Sequence, residues 1–140
     1  MMTAKEECEF LMNDLLPSVQ HLLEKNHEFY PAGSVMNADV SIEFTTSYDG
    51  NEHPASQDVV NFLTKAHKAL AKQKHIKASA IAFNASVIVA GKKTDAIVMR
   101  LEHQSGYSIT VGLPYTMNLF KKIKYGDMFA QRGSHDIFDS

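Results

Sequence analysis

The stretch from Ala78 to Tyr115 restricts the fold more than any other part of the chain. Ile81, Phe83, Ala85, Val87 and Val89 alternate with Ala78, Ala80, Ala82, Asn84 and Ser86. After Gly91-Lys92-Lys93, Ile97, Met99 and Leu101 alternate with Val98, Arg100 and Glu102. After Ser105-Gly106, Tyr107, Ile109, Val111, Leu113 and Tyr115 alternate with Ser108, Thr110, Gly112 and Pro114. A repeat of two is the pleat of a strand. Three such runs joined by short turns predict an antiparallel meander, because a parallel pair needs a long crossover. The alanines of the first run leave room for a helix backbone to approach that face.

Two helices are predicted upstream. From Ala4 to about Lys25, Cys8, Leu11, Leu15, Val19 and Leu22 recur at steps of three and four, with Glu6, Glu7 and Glu9 at the positive end of the helix dipole. Pro17 lies inside and is expected to kink or divide it. From Ser56 to Lys74, Val59, Phe62, Leu63, Ala66 and Leu70 form the inner stripe of the second helix, with Ser56 as its cap. Between the helices, Glu28 to Met36 reads as an irregular edge strand, Asn37-Ala38-Asp39 as a turn, and Val40, Ile42 and Phe44 as the buried face of a second strand. Ser47 to Pro54 reads as a polar loop.

The fold class expected is therefore α+β: helix, β-hairpin, helix, three-stranded antiparallel meander, then a short C-terminal helix or tail from Met117. This amounts to about five strands and two main helices. A chain of 140 residues with 44% apolar side chains suits a single domain over 1–140, with 134–140 expected to fray. One cysteine, Cys8, excludes an internal disulfide. With no signal-peptide pattern and no apolar run near the roughly 20 residues that span a bilayer, the expectation is a cytoplasmic protein without a membrane partner.

Charge is uneven along the chain. Residues 1–58 hold eleven acidic side chains against Lys5 and Lys25, a net −9, and residues 59–140 hold twelve basic against five acidic, a net +7. Glu24, Glu28, Asp39, Glu43, Asp49 and Glu52 fall around the hairpin and its following loop, an acidic set suited to a cationic protein partner. Lys65, Lys68 and Lys72 follow helical steps and form a basic stripe that could contact anions, or a solvated helix face. Nucleic acid is not the expected partner, since no aromatics interleave the lysines and the isoelectric point is about 6.4.

Motifs for chemistry are sparse. None of the seven histidines has the i, i+4 spacing of a zinc helix, so no metal and no cofactor is expected. Glu24-Lys25-Asn26-His27 matches one Glu-x-x-His step, but a di-iron bundle needs two on four helices. Asp95 and His103 are eight residues apart on one strand, about 26 Å, too far to act together. Glu102 and His103 are neighbours in a strand and point to opposite faces. Cys8 lies on an apolar stripe and reads as a buried structural thiol. No catalytic residue is assigned.

Element order resembles the profilin-like plan of roadblock and longin domains, which serve as dimerising or partner-holding platforms. Glu28-Phe29-Tyr30-Pro31-Ala32-Gly33 after an acidic helix, with Leu113-Pro114-Tyr115 closing the last strand, is similar to a group of small uncharacterised bacterial α+β proteins. Those relatives have Asp-Gly at the hairpin turn where this chain has Asp39-Val40. In style the chain resembles bacterial immunity proteins. That resemblance implies an antitoxin-like, non-catalytic protein-binding domain, an immunity or adaptor protein engaging a cationic toxin or effector. The alternatives are a small-molecule-binding or enzymatic domain with a pocket between helix and sheet lined by Tyr30, His103, Tyr107 and Tyr115, and a roadblock-like homodimeric platform.

Overall fold

A computed structural model describes residues 2–45 and 56–138. Helix α1 spans Ala4–Asn26 and helix α2 spans Ser56–Lys72. The strands are β1 (Ala32–Asn37), β2 (Ile42–Thr45), β3 (Ile76–Val89), β4 (Lys92–His103), β5 (Ser108–Met117), β6 (Ile123–Tyr125) and β7 (Phe129–Arg132). They form one antiparallel sheet in the order β2-β1-β3-β4-β5-β6, with β7 also pairing β5.

The class is α+β, and the meander β3-β4-β5 is its centre. Two expectations need correction. The sheet has seven strands among the described residues, not about five, because the C-terminal stretch expected to form a short helix or tail folds back as β6 and β7 along β5. The segment read as an edge strand, β1, lies inside the sheet between β2 and β3. Its proline, Pro31, precedes the strand, so every residue of Ala32–Asn37 keeps a backbone donor for its neighbours.

The helices cover opposite faces. Ala78, Ala80 and Ala82 of β3 lie beside His103, Leu101 and Met99 of β4, and the three alanines share one core cluster with Cys8, Leu11, Leu15, Val19 and Leu23 of α1. The small side chains let α1 lie close over the sheet's middle. Ile81 and Val35 face the other way and pack with Val59 and Leu63 of α2 and with Ile137 of the C-terminal segment. Phe62, expected on the inner stripe of α2, is 55% exposed, and the buried position one step along that stripe is His67.

Thr3 caps α1 in a reciprocal box, accepting from the Glu6 amide while the Glu6 carboxylate accepts from the Thr3 amide. The helix runs unbroken through Pro17, which is exposed, so the carbonyl that loses its partner can meet water. α2 starts at Ser56, and the loop expected over Ser47 to Pro54 lies outside the described residues.

Candidate functional site

Among the described residues the strand β2 pairs only with β1 and so forms one edge of the sheet. Its register places Ile42 and Phe44 on the α1 face and Glu43 and Thr45 on the α2 face. Glu43 is exposed and Phe44 is half exposed. The turn before it is fixed by Asp39, whose carboxylate accepts from the Ser41 amide and hydroxyl. Those bonds hold the Asp39 carboxyl below its ordinary range. At the next position Val40 has φ 73°, a left-handed conformation costly for a β-branched residue.

Of the acidic residues singled out from sequence, the four that are described do not gather at one point. Asp39 and Glu43 share the hairpin, and Glu28 is exposed on the segment leading to β1. Glu24 sits at the end of α1 and accepts from the Tyr125 hydroxyl of β6 at 3.0 Å, towards the opposite edge of the sheet. Asp49 and Glu52 lie outside the described residues.

Of the basic residues, Lys68 and Lys72 border a cleft of about 540 Å³ with Lys74, Gln104, Ile137 and Phe138. Lys65 is exposed on α2 and does not line it.

The four residues expected to line a pocket do not all meet: His103 and Tyr107 are neighbours across the β4-β5 turn, where the His103 amide donates to the Tyr107 carbonyl, whereas Tyr30 and Tyr115 lie elsewhere. Tyr115 is buried and donates its hydroxyl to Asn84 Oδ1, and burial pushes its phenol up to about 12. Tyr30 is exposed ahead of β1. His103, at the far end of β4 from the Tyr115 pair, is taken up by Glu7. Tyr107 borders an apolar groove of about 410 Å³ between α1 and the β5-β7 edge. Cys8 and Met12 form its helix side and Ile109 and Val111 its floor, with Lys5 and Glu9 at the rim. The Cys8 thiol is buried and pushed up to about 12 by burial, then by the nearby Glu7 charge, so it stays protonated and unreactive at neutral pH.

Three polar clusters escaped the sequence. The first joins Glu7 to His103 at 2.9 Å and to Lys77 at 2.7 Å. Nδ1 of His103 accepts from the Ser105 amide, so Nε2 carries the proton donated to Glu7 in the neutral ring. Burial works to raise the Glu7 carboxyl, but the hydrogen bonds and charges of Lys77 and His103 outweigh it and hold it below its ordinary value.

The second cluster is His67, fully buried between Thr45 Oγ1 at 2.8 Å and Ser79 Oγ at 2.7 Å. Burial lowers its pKa to about 4, so the ring is neutral at physiological pH. Gly33 makes the site possible, since a Cβ there would lie 2.9 Å from His67 Cε1. In the third cluster, the Glu102 carboxylate accepts from the amides of Asp136, Ile137 and Phe138 and ties the C-terminal segment to the sheet. The segment expected to fray from Ser134 is thus bonded through Phe138.

Among the described residues no group of three His, Cys, Asp or Glu side chains is arranged to hold a metal ion, and no helix is long and apolar enough to cross a membrane. No family model matches the chain, and searches of curated proteins and of solved structures found no similar protein.

Proposed function

We propose that the chain is a non-catalytic protein-binding domain that receives a cationic partner along the β2 edge. In its most concrete form it is a bacterial immunity or adaptor protein that docks or neutralises a toxin or effector. One observation carries this reading: among the described residues β2 is an outer strand, with an exposed acidic side chain, Glu43, on one face and a half-exposed aromatic, Phe44, on the other. A strand added there would gain ladder hydrogen bonds and cover Phe44, while the negative charge of the first 58 residues would speed capture. The buried histidines fit a structural role, because the ring nitrogens of His67 and His103 are taken up by side-chain or backbone groups of the fold.

The test is capture from the source cell at low and high salt, with mass identification, using wild type, Glu43→Lys and Phe44→Asp. The reading expects one partner retained at low salt and lost with either variant. It fails if nothing specific is retained or if both variants bind as well as wild type. Sedimentation over a range of concentrations separates a second copy of the chain, the roadblock-like alternative, from a foreign partner.

A small-molecule reading is favoured by a different observation, the groove lined by Cys8, Met12, Tyr107, Ile109 and Val111. Its size and apolar lining suit a small apolar ligand with one polar end at Lys5 or Glu9. A rise in melting temperature with such ligands, abolished by Val111→Trp, supports it, and no rise counts against it.

A further inference from the structure

We infer that the two hairpin tips at the Val89 and Met117 end of the sheet form a docking surface for an anionic lipid bilayer, with Leu119 and Phe120 inserting at the interface. The β3-β4 tip turns at Ala90 and Gly91, which have φ of 51° and 78°. The β5-β6 tip turns at Asn118 to Lys121. Register fixes their relation. Asp95 of β4 pairs Tyr115 of β5, and each chain runs about five residues further to its apex, so both tips end at nearly the same height. The apices are about two strand spacings, or roughly 10 Å, apart.

The apolar side chains here are exposed to an unusual degree. Leu119 is 98% exposed, Phe120 84% and Ile88 70%, with Val89 and Met117 beside them more than a third exposed. Leu119 and Phe120 are held by a rigid turn. Asn118 Oδ1 accepts from the amides of Phe120 and Lys122, the Asn118 carbonyl accepts from the Lys121 amide, and Lys121 adopts φ 60°. The fold therefore fixes two large apolar side chains in water instead of letting them collapse onto the sheet.

The surrounding charge identifies the occupant. Residues 87–94 and 116–124 contain five lysines, Lys92, Lys93, Lys121, Lys122 and Lys124, and no acidic residue. All five are exposed, and none is in an ion pair among the described residues. Apolar apices on convex turns with lysines alongside match the layering of a bilayer surface, where anionic headgroups lie just outside the acyl boundary. A folded protein would need a matching pair of pits, whereas a fluid interface accommodates two protrusions without prior shape. Peripheral docking needs no spanning segment, and the apolar runs at the tips, Val87 to Ala90 and Leu119-Phe120, are far shorter than the roughly 20 residues that span a bilayer.

Vesicles of phosphatidylcholine with and without phosphatidylserine test this. The chain has no tryptophan, so Phe120→Trp places a single reporter at the apex of an otherwise native protein. Wild type is expected to sediment with the phosphatidylserine vesicles at low salt, much less with phosphatidylcholine alone, and less as salt rises. The Phe120→Trp emission should shift to shorter wavelength on binding. Leu119→Ser and Phe120→Ser should each weaken binding about tenfold, and Lys92→Gln or Lys122→Gln about fivefold each, with melting temperatures unchanged. Failure to sediment with phosphatidylserine vesicles at low salt overturns the proposal. So does sedimentation indifferent to the serine variants, an unshifted emission in the bound state, or an emission shift produced only by added protein. Glu43→Lys leaves vesicle binding unchanged, which keeps this surface separate from the β2 edge.

Discussion

His103 Nε2 lies 2.9 Å from Glu7 Oε1, joining the last residue of β4 to the start of α1 across 96 positions of sequence. The other carboxylate oxygen of Glu7 holds Lys77 at the start of β3. All three side chains are largely shielded from water, so removing the carboxylate leaves a cation and an imidazole without their shared acceptor. Glu7→Ala is expected to cost about 3 kcal/mol in urea unfolding at pH 7, and Glu7→Gln less. Because the Glu7 carboxyl is held down in the folded state, its contribution is complete above the ordinary carboxylate value of about 4.3 and disappears as pH falls through the lower folded value. The Glu7→Gln protein should lose less stability than wild type in that acid window.

His67 titrates in a different window. Its folded pKa is lowered to about 4, so on acidification the unfolded chain takes up a proton near its ordinary value of about 6.5 while the folded chain does not. Stability is expected to fall by about 3 kcal/mol between pH 7 and pH 4 from this group. Unfolding curves at pH 7, 5.5 and 4 check it, and His67→Asn should flatten the dependence in that range. Equal slopes in wild type and variant would remove His67 as the cause.

Gly33→Ala addresses the same site from the facing strand. Its Cβ would fall 2.5 Å from Thr45 Oγ1 and 2.9 Å from His67 Cε1, so both partners must shift and the Thr45-His67 bond with them. A loss of about 2 kcal/mol is expected by thermal or urea unfolding. An unchanged melting temperature would mean that β1 and α2 separate more freely than this contact implies.

Glu102→Ala should release the C-terminal segment without unfolding the rest. Exchange of the Ile137 and Phe138 amides, which both donate to the carboxylate, is expected to speed up by about ten- to a hundredfold. Amides in the middle of β3 should change far less.

Val40→Gly should stabilise. The residue is exposed enough that little packing is lost, and glycine accepts φ 73° without strain, so a gain of about 0.5–1 kcal/mol is expected despite the greater freedom of the unfolded chain. Thermal unfolding of the single variant is sufficient to check it.

Much of this architecture is legible in the sequence wherever the pattern is long. The period of two fixes β3, β4 and β5, and the steps of three and four fix both helices. Legibility fails where a partner is distant. Glu7 reads as a residue favoured by the helix dipole, because nothing local indicates that Lys77 and His103 converge on it. His67 falls on the same helical stripe as Val59 and Leu63, yet a histidine reads as exposed until Thr45 and Ser79 supply hydroxyls to both ring nitrogens. β6 and β7 are three and four residues long, too short for alternation to register. Leu119 and Phe120 look like packing residues by type, and only the turn that holds them outward shows otherwise.

The length of β3 has a further consequence. From Ile76, level with the Asn37 end of β1, to Val89 at the distal tip, it covers about 40 Å at roughly 3.3 Å per residue. The Asp39 turn and the lysine-flanked tips therefore stand at opposite ends of one rigid ladder, too far apart for an occupant of one to block the other. A partner on the β2 edge and a bilayer at the tips, the two occupants proposed above, would reinforce each other by avidity if held at once through such a spacer.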